Sequence, residues 1–172
     1  RVNDDVEIFA SLKLQGGDTY PDWLGDGTTA WPESTGTIFG NVVERPNPEH
    51  YSSLLADYVE YLQGFRVKID YLGINNETDG ALDVSRYIDT IDRLEAELIS
   101  RGVPEEYRSF QYVGPDTFGL NSAVNITQSI ASQSRLDTLD VVGSHFYPQH
   151  NSGEETDWET ISSITGGTPM WH

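Results

Sequence analysis

The chain has 172 residues, of which 37% are hydrophobic and 11% aromatic, enough apolar material for one domain with a real core and too much for a disordered chain. Against 28 acidic residues stand 10 Lys and Arg, a formal net charge of −18; such a field repels nucleic acid and anionic lipid, so neither is expected as a partner, and a heavily sulfated ligand is disfavoured. There are no cysteines, which removes disulfides, thiol chemistry and Cys-ligated zinc, and no segment approaches the roughly 20 apolar residues of a membrane span.

Val6 to Leu14 reads as a partly alternating strand. A long Gly/Pro/Thr-rich stretch follows, from Gln15 to Pro48, of a length that is usually functional inside a compact domain. Tyr51, Leu54, Leu55, Tyr58, Val59 and Leu62 then fall at i, i+3, i+4, i+7, i+8 and i+11, the apolar stripe of an amphipathic helix that starts at Pro48-Glu49. Lys68 to Ile74 is a short strand with a buried centre. Asp83 caps a second helix, with Tyr87, Ile88, Ile91, Leu94, Leu98 and Ile99 inward and Gly102 as its stop. Next come a strand over Ser109 to Val113, a helix over Ala123 to Ser134, a strand over Val141 to Tyr147, a helix over Asp157 to Ile164, and a last strand from Thr168 to Trp171.

Strict alternation of strands and helices, with no hairpin signals between the strands, implies a parallel sheet with helical crossovers. Two architectures fit: an open doubly wound sheet, or an arc of a (β/α)8 barrel. In barrels, chemistry gathers where each strand ends. The unusual polar and aromatic residues stand at those points on every strand: Ser11 and Lys13, then Asn75-Asn76-Glu77, then Asp116, then His145 and Tyr147, then Trp171-His172. An open sheet would concentrate its ligand groups at one switch point, and no Gly-rich phosphate loop follows the first strand. The expected fold class is therefore α/β, a partial (β/α)8 barrel forming one domain over residues 1–172.

Glu77 is the leading catalytic candidate. A carboxylic acid just past a buried strand, in a partly desolvated cleft, has a raised pKa and can protonate a glycosidic oxygen. Asn76 beside it can hydrogen-bond a substrate hydroxyl. The competing reading makes Asn75, Asn76 and Glu77 turn and cap residues before the helix at Asp83. His145 and Tyr147 are two apart on a strand and so point to the same side; with Val141 and Gly143 they would face the barrel interior, while Val142, Ser144 and Phe146 face the helices. A His and a Tyr there can orient a carboxylate or a sugar hydroxyl, or simply pack. Trp23, Trp31, Tyr20 and Phe39 in the long first loop suit stacking on the C–H faces of sugar rings, or pinning the loop. Lys13 could bind a hydroxyl or ring oxygen, or pair with an acidic side chain. The histidines show no metal-ligand spacing, and no GxSxG elbow is present, so neither a metal nor a cofactor is expected.

With these residues in place, the chain resembles the large clan of retaining (β/α)8 glycoside hydrolases in which an Asn-Glu pair ends strand four and a second glutamate, the nucleophile, ends strand seven. Ala10-Ser11-Leu12-Lys13 followed by Pro21-Asp22-Trp23-Leu24 is similar to the Ser…Pro-x-Trp-Met segment of family 30. Gly143-Ser-His-Phe-Tyr147 looks like that family's strand six and Pro169-Met-Trp171 like the start of its strand seven. Val113-Gly-Pro-Asp-Thr-Phe118 is also similar to family 86, the β-agarases and β-porphyranases. The resemblance implies strands three to seven, Glu77 as general acid/base, Asn76, His145, Tyr147, Trp171, Trp23 and Lys13 at the substrate, and a polysaccharide substrate. It implies a nucleophile beyond His172, so that the chain is an internal piece of a larger enzyme and inactive alone. Exposed barrel edges would then favour self-association. The first residue, Arg1, and the acidity fit a mature bacterial protein that is secreted or held at the cell surface. A non-catalytic carbohydrate-binding domain or pseudo-enzyme is the alternative; an open-sheet α/β binding domain is a third reading.

Overall fold

The computed structural model describes residues 6–12, 22–29, 37–38, 41–42, 44–76, 83–147 and 153–171. Its elements in chain order are β1 (Phe9–Ser11), β2 (Gly25–Thr29), β3 (Thr37–Ile38), β4 (Asn41–Val42), β5 (Glu44–Pro46), α1 (Pro48–Gly64), β6 (Tyr71–Gly73), α2 (Val84–Ser100), α3 (Glu105–Arg108), β7 (Gln111–Thr117), α4 (Leu120–Ser132), β8 (Val141–Ser144), α5 (Thr156–Thr165) and β9 (Met170–Trp171). The helix ends follow local chemistry. Asn47 caps α1 by accepting from the Glu49 and His50 amides, with Pro48 in the first turn, and Asp83 caps α2 by accepting from the Arg86 amide at 2.9 Å. Gly102, at φ 72, ends α2: its N–H reaches Ile99 O and that of Val103 reaches Leu98 O, the paired bonds of a left-handed helix stop.

Five strands form one sheet in the order β1-β6-β7-β8-β9, and every pairing is parallel. The order is sequential, with no reversal such as a doubly wound sheet requires at its switch point. The sheet is also strongly curled. In a flat sheet the first and fifth strands would lie roughly 19 Å apart, yet the Trp171 ring on β9 meets Phe9 on β1 at 6.0 Å between centroids and Tyr71 on β6 at 4.6 Å. A parallel sheet whose two edges touch across its concave face is an arc of a barrel.

The two faces differ as the alternation requires. Leu72, Tyr112 and Val142 point outward into the helix layer, where they join Tyr51, Leu55, Ile91, Leu94, Leu98, Leu120 and Ile130 in the main buried cluster. On the concave face, Ser11, Gly73, Val113 and Val141 lie in register. Space there is tight: a Cβ on Gly73 would stand 3.0 Å from Ser11 Oγ, and one on Gly143 would stand 2.9 Å from Val113 Cγ1.

Three expectations need correction. The third sheet strand runs to Thr117 rather than stopping at Val113, although Pro115 donates no ladder hydrogen bond; the chain accommodates it with a bulge. Between Pro115, opposite Gly143, and Thr117, opposite Ser144, Asp116 is the extra residue, at φ 48 after a cis Gly114-Pro115 peptide. The first loop is not free of hairpins: β2 pairs antiparallel with β5, and β3 with β4 across two residues. Tyr58 and Ile99, expected inward, are exposed; both sit at the margins of their apolar stripes.

Candidate active site

The C-terminal ends of β1, β6, β7 and β8 converge on Asp116. Simple alternation along β7 sends Tyr112 and Gly114 outward and would send Asp116 with them; the extra residue of the bulge turns it to the concave side instead. Its side chain there is 9% exposed. Ser11, ending β1, places Oγ 3.4 Å from Asp116 Oδ2. Asn76, three residues past β6, places Nδ2 3.4 Å from the same oxygen. His145, the residue after β8, places Nε2 3.2 Å from Asp116 Oδ1, and its own amide extends the β7–β8 ladder by donating to Thr117 O at 2.8 Å.

An aromatic file leads away from this centre. Tyr147 Oη lies 3.4 Å from His145 Nδ1, with the two ring planes parallel within 2°. Phe118, just past β7, stacks on Tyr147 at 4.9 Å. His145 and Tyr147 thus share a side as their spacing of two requires, while Val142 lies in the helix-facing core and Phe146 packs against it. Beneath the cluster the backbone is held from behind. Asn75, buried, donates from Nδ2 to Pro115 O at 3.0 Å, and the buried Tyr51 hydroxyl donates to Ile74 O at 2.6 Å. Tyr87 reaches up from α2; burial, and then the charges of Asp116 and Asp140, push its phenol well above the usual range.

The sequence-predicted residues divide as follows. Asn76, His145 and Tyr147 are brought together. Trp171 stands further into the concavity, wedged between Phe9 and Tyr71 and 38% exposed. Trp23 lies in the short 3-10 turn Asp22–Leu24 before β2, its ring against His50 of α1 at 6.3 Å, and is 54% exposed. Glu77, directly after Asn76, and Lys13, two residues past Ser11, lie outside the described residues, as do Trp31, Tyr20 and Phe39. Asp116 is the centre that the sequence reading noted as a strand-end residue without giving it a role; its position after a proline inside a strand was the available signal. Among the described residues no group of three or more His, Asp or Glu side chains is disposed to hold a metal ion, and no helix is long and apolar enough to cross a membrane.

Three solved structures that this chain is similar to are glycoside hydrolases. The catalytic domain of a family 30 xylanase C from Talaromyces cellulolyticus superposes with a TM-score of 0.55 at 21% identity, covering 83% of this chain and 33% of that one. A family 39 β-xylosidase from Caulobacter crescentus gives 0.53 at 18%, covering 87% and 35%, and an endo-β1,6-glucanase gives 0.60 at 14%, covering 98% and 37%. No protein-family model and no curated protein matches the chain. The likeness shows the fold, an arc of the (β/α)8 barrel of these hydrolases, and the chain spans about a third of the length of the structures it matches.

Proposed function

We propose that this chain supplies the acid/base half of a retaining glycoside hydrolase acting on a polysaccharide. The observation that supports the reading best is the polar cluster of Asn76, Asp116 and His145 at the C-terminal ends of adjacent parallel strands, where barrel enzymes assemble their sites, with Glu77 the next residue after Asn76. In the first step Glu77 protonates the glycosidic oxygen as the bond to the anomeric carbon breaks. A second carboxylate attacks that carbon from the opposite face, about 5–5.5 Å from the first in retaining enzymes. In the second step Glu77, now the base, takes a proton from the water that releases the sugar. Asn76, His145 and Tyr147 hold sugar hydroxyls or the second carboxylate, and Trp171 and Trp23 offer stacking faces to sugar rings. The second carboxylate is expected from residues after His172, and the acid net charge favours a neutral glycan such as agarose, xylan or β-glucan.

The deciding experiment is Glu77→Gln in the parent enzyme, assayed for reducing sugars on a panel of neutral polysaccharides. General acid–base assistance is worth roughly 10²–10⁴-fold, and a loss of that size is expected with glycan binding retained. Unchanged hydrolysis would remove Glu77 from the mechanism; glycan binding without hydrolysis in the unaltered enzyme would mark a binding module instead. The 172-residue chain alone is expected to release no sugar. Its edge strands carry exposed Phe9, Met170 and Trp171, and light scattering should show association that rises with concentration; strictly monomeric behaviour at high concentration would count against this.

A further inference from the structure

We propose that the groove between α1 and α2, in the helix layer outside the barrel arc, is a second glycan-binding site with Trp23 as its stacking platform; the choice of a glycan as ligand rests on the glycosidase reading above. A hollow of about 500 Å³ lies between the two helices, with Glu49, His50, Ser53, Arg93, Glu97 and Ser100 in its walls. A second, of about 430 Å³, has Asn47, Ser85 and Asp89 in its walls. Arg93 of the first donates from Nε to Asp89 Oδ2 of the second at 2.9 Å, so one ion pair stands between the two hollows. The Trp23 ring, more than half exposed, stands against His50 in the wall of the larger one. A single exposed tryptophan needs no explanation by itself, but this one is held in place. Its carbonyl accepts from His50 Nδ1 at 2.5 Å. The next residue, Leu24, is buried, and its carbonyl accepts from the Asn47 amide at 2.8 Å. The ring is carried on backbone that is already fixed, so a ligand that covers its face costs little further ordering.

The chemistry of the walls selects the class of ligand. Arg93 and His50 supply donors, and Glu49 and Glu97 supply carboxylate acceptors. A sugar hydroxyl both donates and accepts, so neighbouring hydroxyls on one ring can use both kinds of group. An anionic ligand would meet Glu49, Glu97 and the net charge of −18. A purely apolar one would find Ala96 as the one apolar side chain in the walls of the larger hollow. Trp23 supplies the flat face that the C–H side of a sugar ring needs. Two hollows separated by one ion pair suit several linked sugars better than a monosaccharide. A polymer held there stays close to the concave cluster without occupying it, which raises its effective concentration at that cluster.

The test is native electrophoresis of the 172-residue chain through gels that carry xylan or a soluble neutral β-glucan, with a protein that binds neither as the mobility reference. The unaltered chain should be retarded by at least one of the two. Trp23→Ala and Arg93→Ala should each weaken the apparent affinity roughly fivefold or more, the loss expected when an anchoring contact is truncated. Arg93 and Asp89 form an exposed pair of a kind that contributes little to stability, so Arg93→Ala decides the matter even where Trp23→Ala does not fold. Tyr61→Ala removes another exposed aromatic from α1 and should leave the retardation as it was. No retardation in either gel overturns the proposal. So does retardation that survives both Trp23→Ala and Arg93→Ala, or that falls equally in Tyr61→Ala. Retardation lost in His145→Gln and kept in Trp23→Ala and Arg93→Ala would place the glycan on the concave face, which removes the groove and leaves the glycosidase reading standing. Retardation that depends on Trp23 and Arg93, beside a parent enzyme whose hydrolysis is unchanged by Glu77→Gln, would keep the groove and remove the catalytic role of Glu77.

Discussion

The two ends of the parallel strands use the same residue type for different purposes. At the N-terminal ends, Asp70 before β6 accepts from the Ile8 amide at 2.9 Å, and Asp140 before β8 accepts from the Tyr112 amide at 2.8 Å. Each carboxylate grips the backbone of the neighbouring strand and so extends the ladder beyond the sheet. At the C-terminal ends, Asp116 meets the side chains of Ser11, Asn76 and His145. Backbone partners fix where a strand lies; side-chain partners fix how a functional group is turned. The contrast separates an end that carries stability from an end that carries chemistry, as in barrels generally.

The sharpest way to disturb both ends together is between them. Gly114, on the helix side of β7, lies against Tyr87: a Cβ there would stand 2.1 Å from the Tyr87 hydroxyl and 2.8 Å from Cζ. Tyr87 is fully buried in α2, so it has nowhere to move. Gly114→Ala is expected to cost about 1–3 kcal/mol by overpacking, read as a lower denaturation midpoint, and to lower hydrolysis by the parent enzyme as β7 shifts. Adding Tyr87→Phe removes the closest atom and should recover part of the loss. A double variant no more stable than Gly114→Ala would show that the hydroxyl is not the obstacle.

A smaller change should act on one end alone. Asp140→Ala leaves the Tyr112 amide without its carboxylate partner, in a residue only 5% exposed, and a stranded buried donor costs roughly 1–3 kcal/mol. Stability should fall within that range while hydrolysis by the parent enzyme stays as it was. Asp116→Asn should do the reverse, lowering hydrolysis with a smaller loss of stability. If Asp140→Ala also lowers hydrolysis, the two ends are coupled through β7 and β8 and the division of labour fails.

Much of this arrangement was legible beforehand, and the part that was not has a physical cause. The strand–helix order needs only hydrophobic periods of 2 and 3.6, and the helix start at Pro48, the cap at Asp83 and the stop at Gly102 need only local backbone chemistry. The shared side of His145 and Tyr147 follows from alternation even though β8 itself ends at Ser144. Asp116 escaped because alternation gives the wrong side. Pro115 reads as the end of a strand, and the bulge that carries the strand past it, and turns Asp116 inward, depends on the Gly143 and Ser144 pairing of a strand nearly thirty residues later. The ribbons β2–β5 and β3–β4 are two to five residues long, too short for alternation to register.

The gentlest test uses acid. The Ile8 amide, and with it the Lys68 ammonium at 3.1 Å, holds the Asp70 carboxyl below its ordinary value of 3.8 despite partial burial. Folding thus favours the ionised form. Its contribution is present in full above the ordinary value and is lost as the pH falls through the lower, folded one. Glu95 on α2 runs the other way: burial first, then the Asp92 charge, raises its carboxyl above 4.5, against the opposing pull of Arg135. Its ionisation weakens the fold as the pH rises through the raised value. Asp70→Asn should therefore flatten the acid limb of a stability–pH curve, and Glu95→Gln should raise stability at neutral pH without altering that limb. Both effects should be small, because Lys68 is half exposed and exposed pairs are worth about 1 kcal/mol or less. The Asp70 effect is the informative one. An acid limb unchanged in Asp70→Asn would mean that the amide of Ile8 finds water as readily as the carboxylate, and that the N-terminal ends are held by the ladder alone.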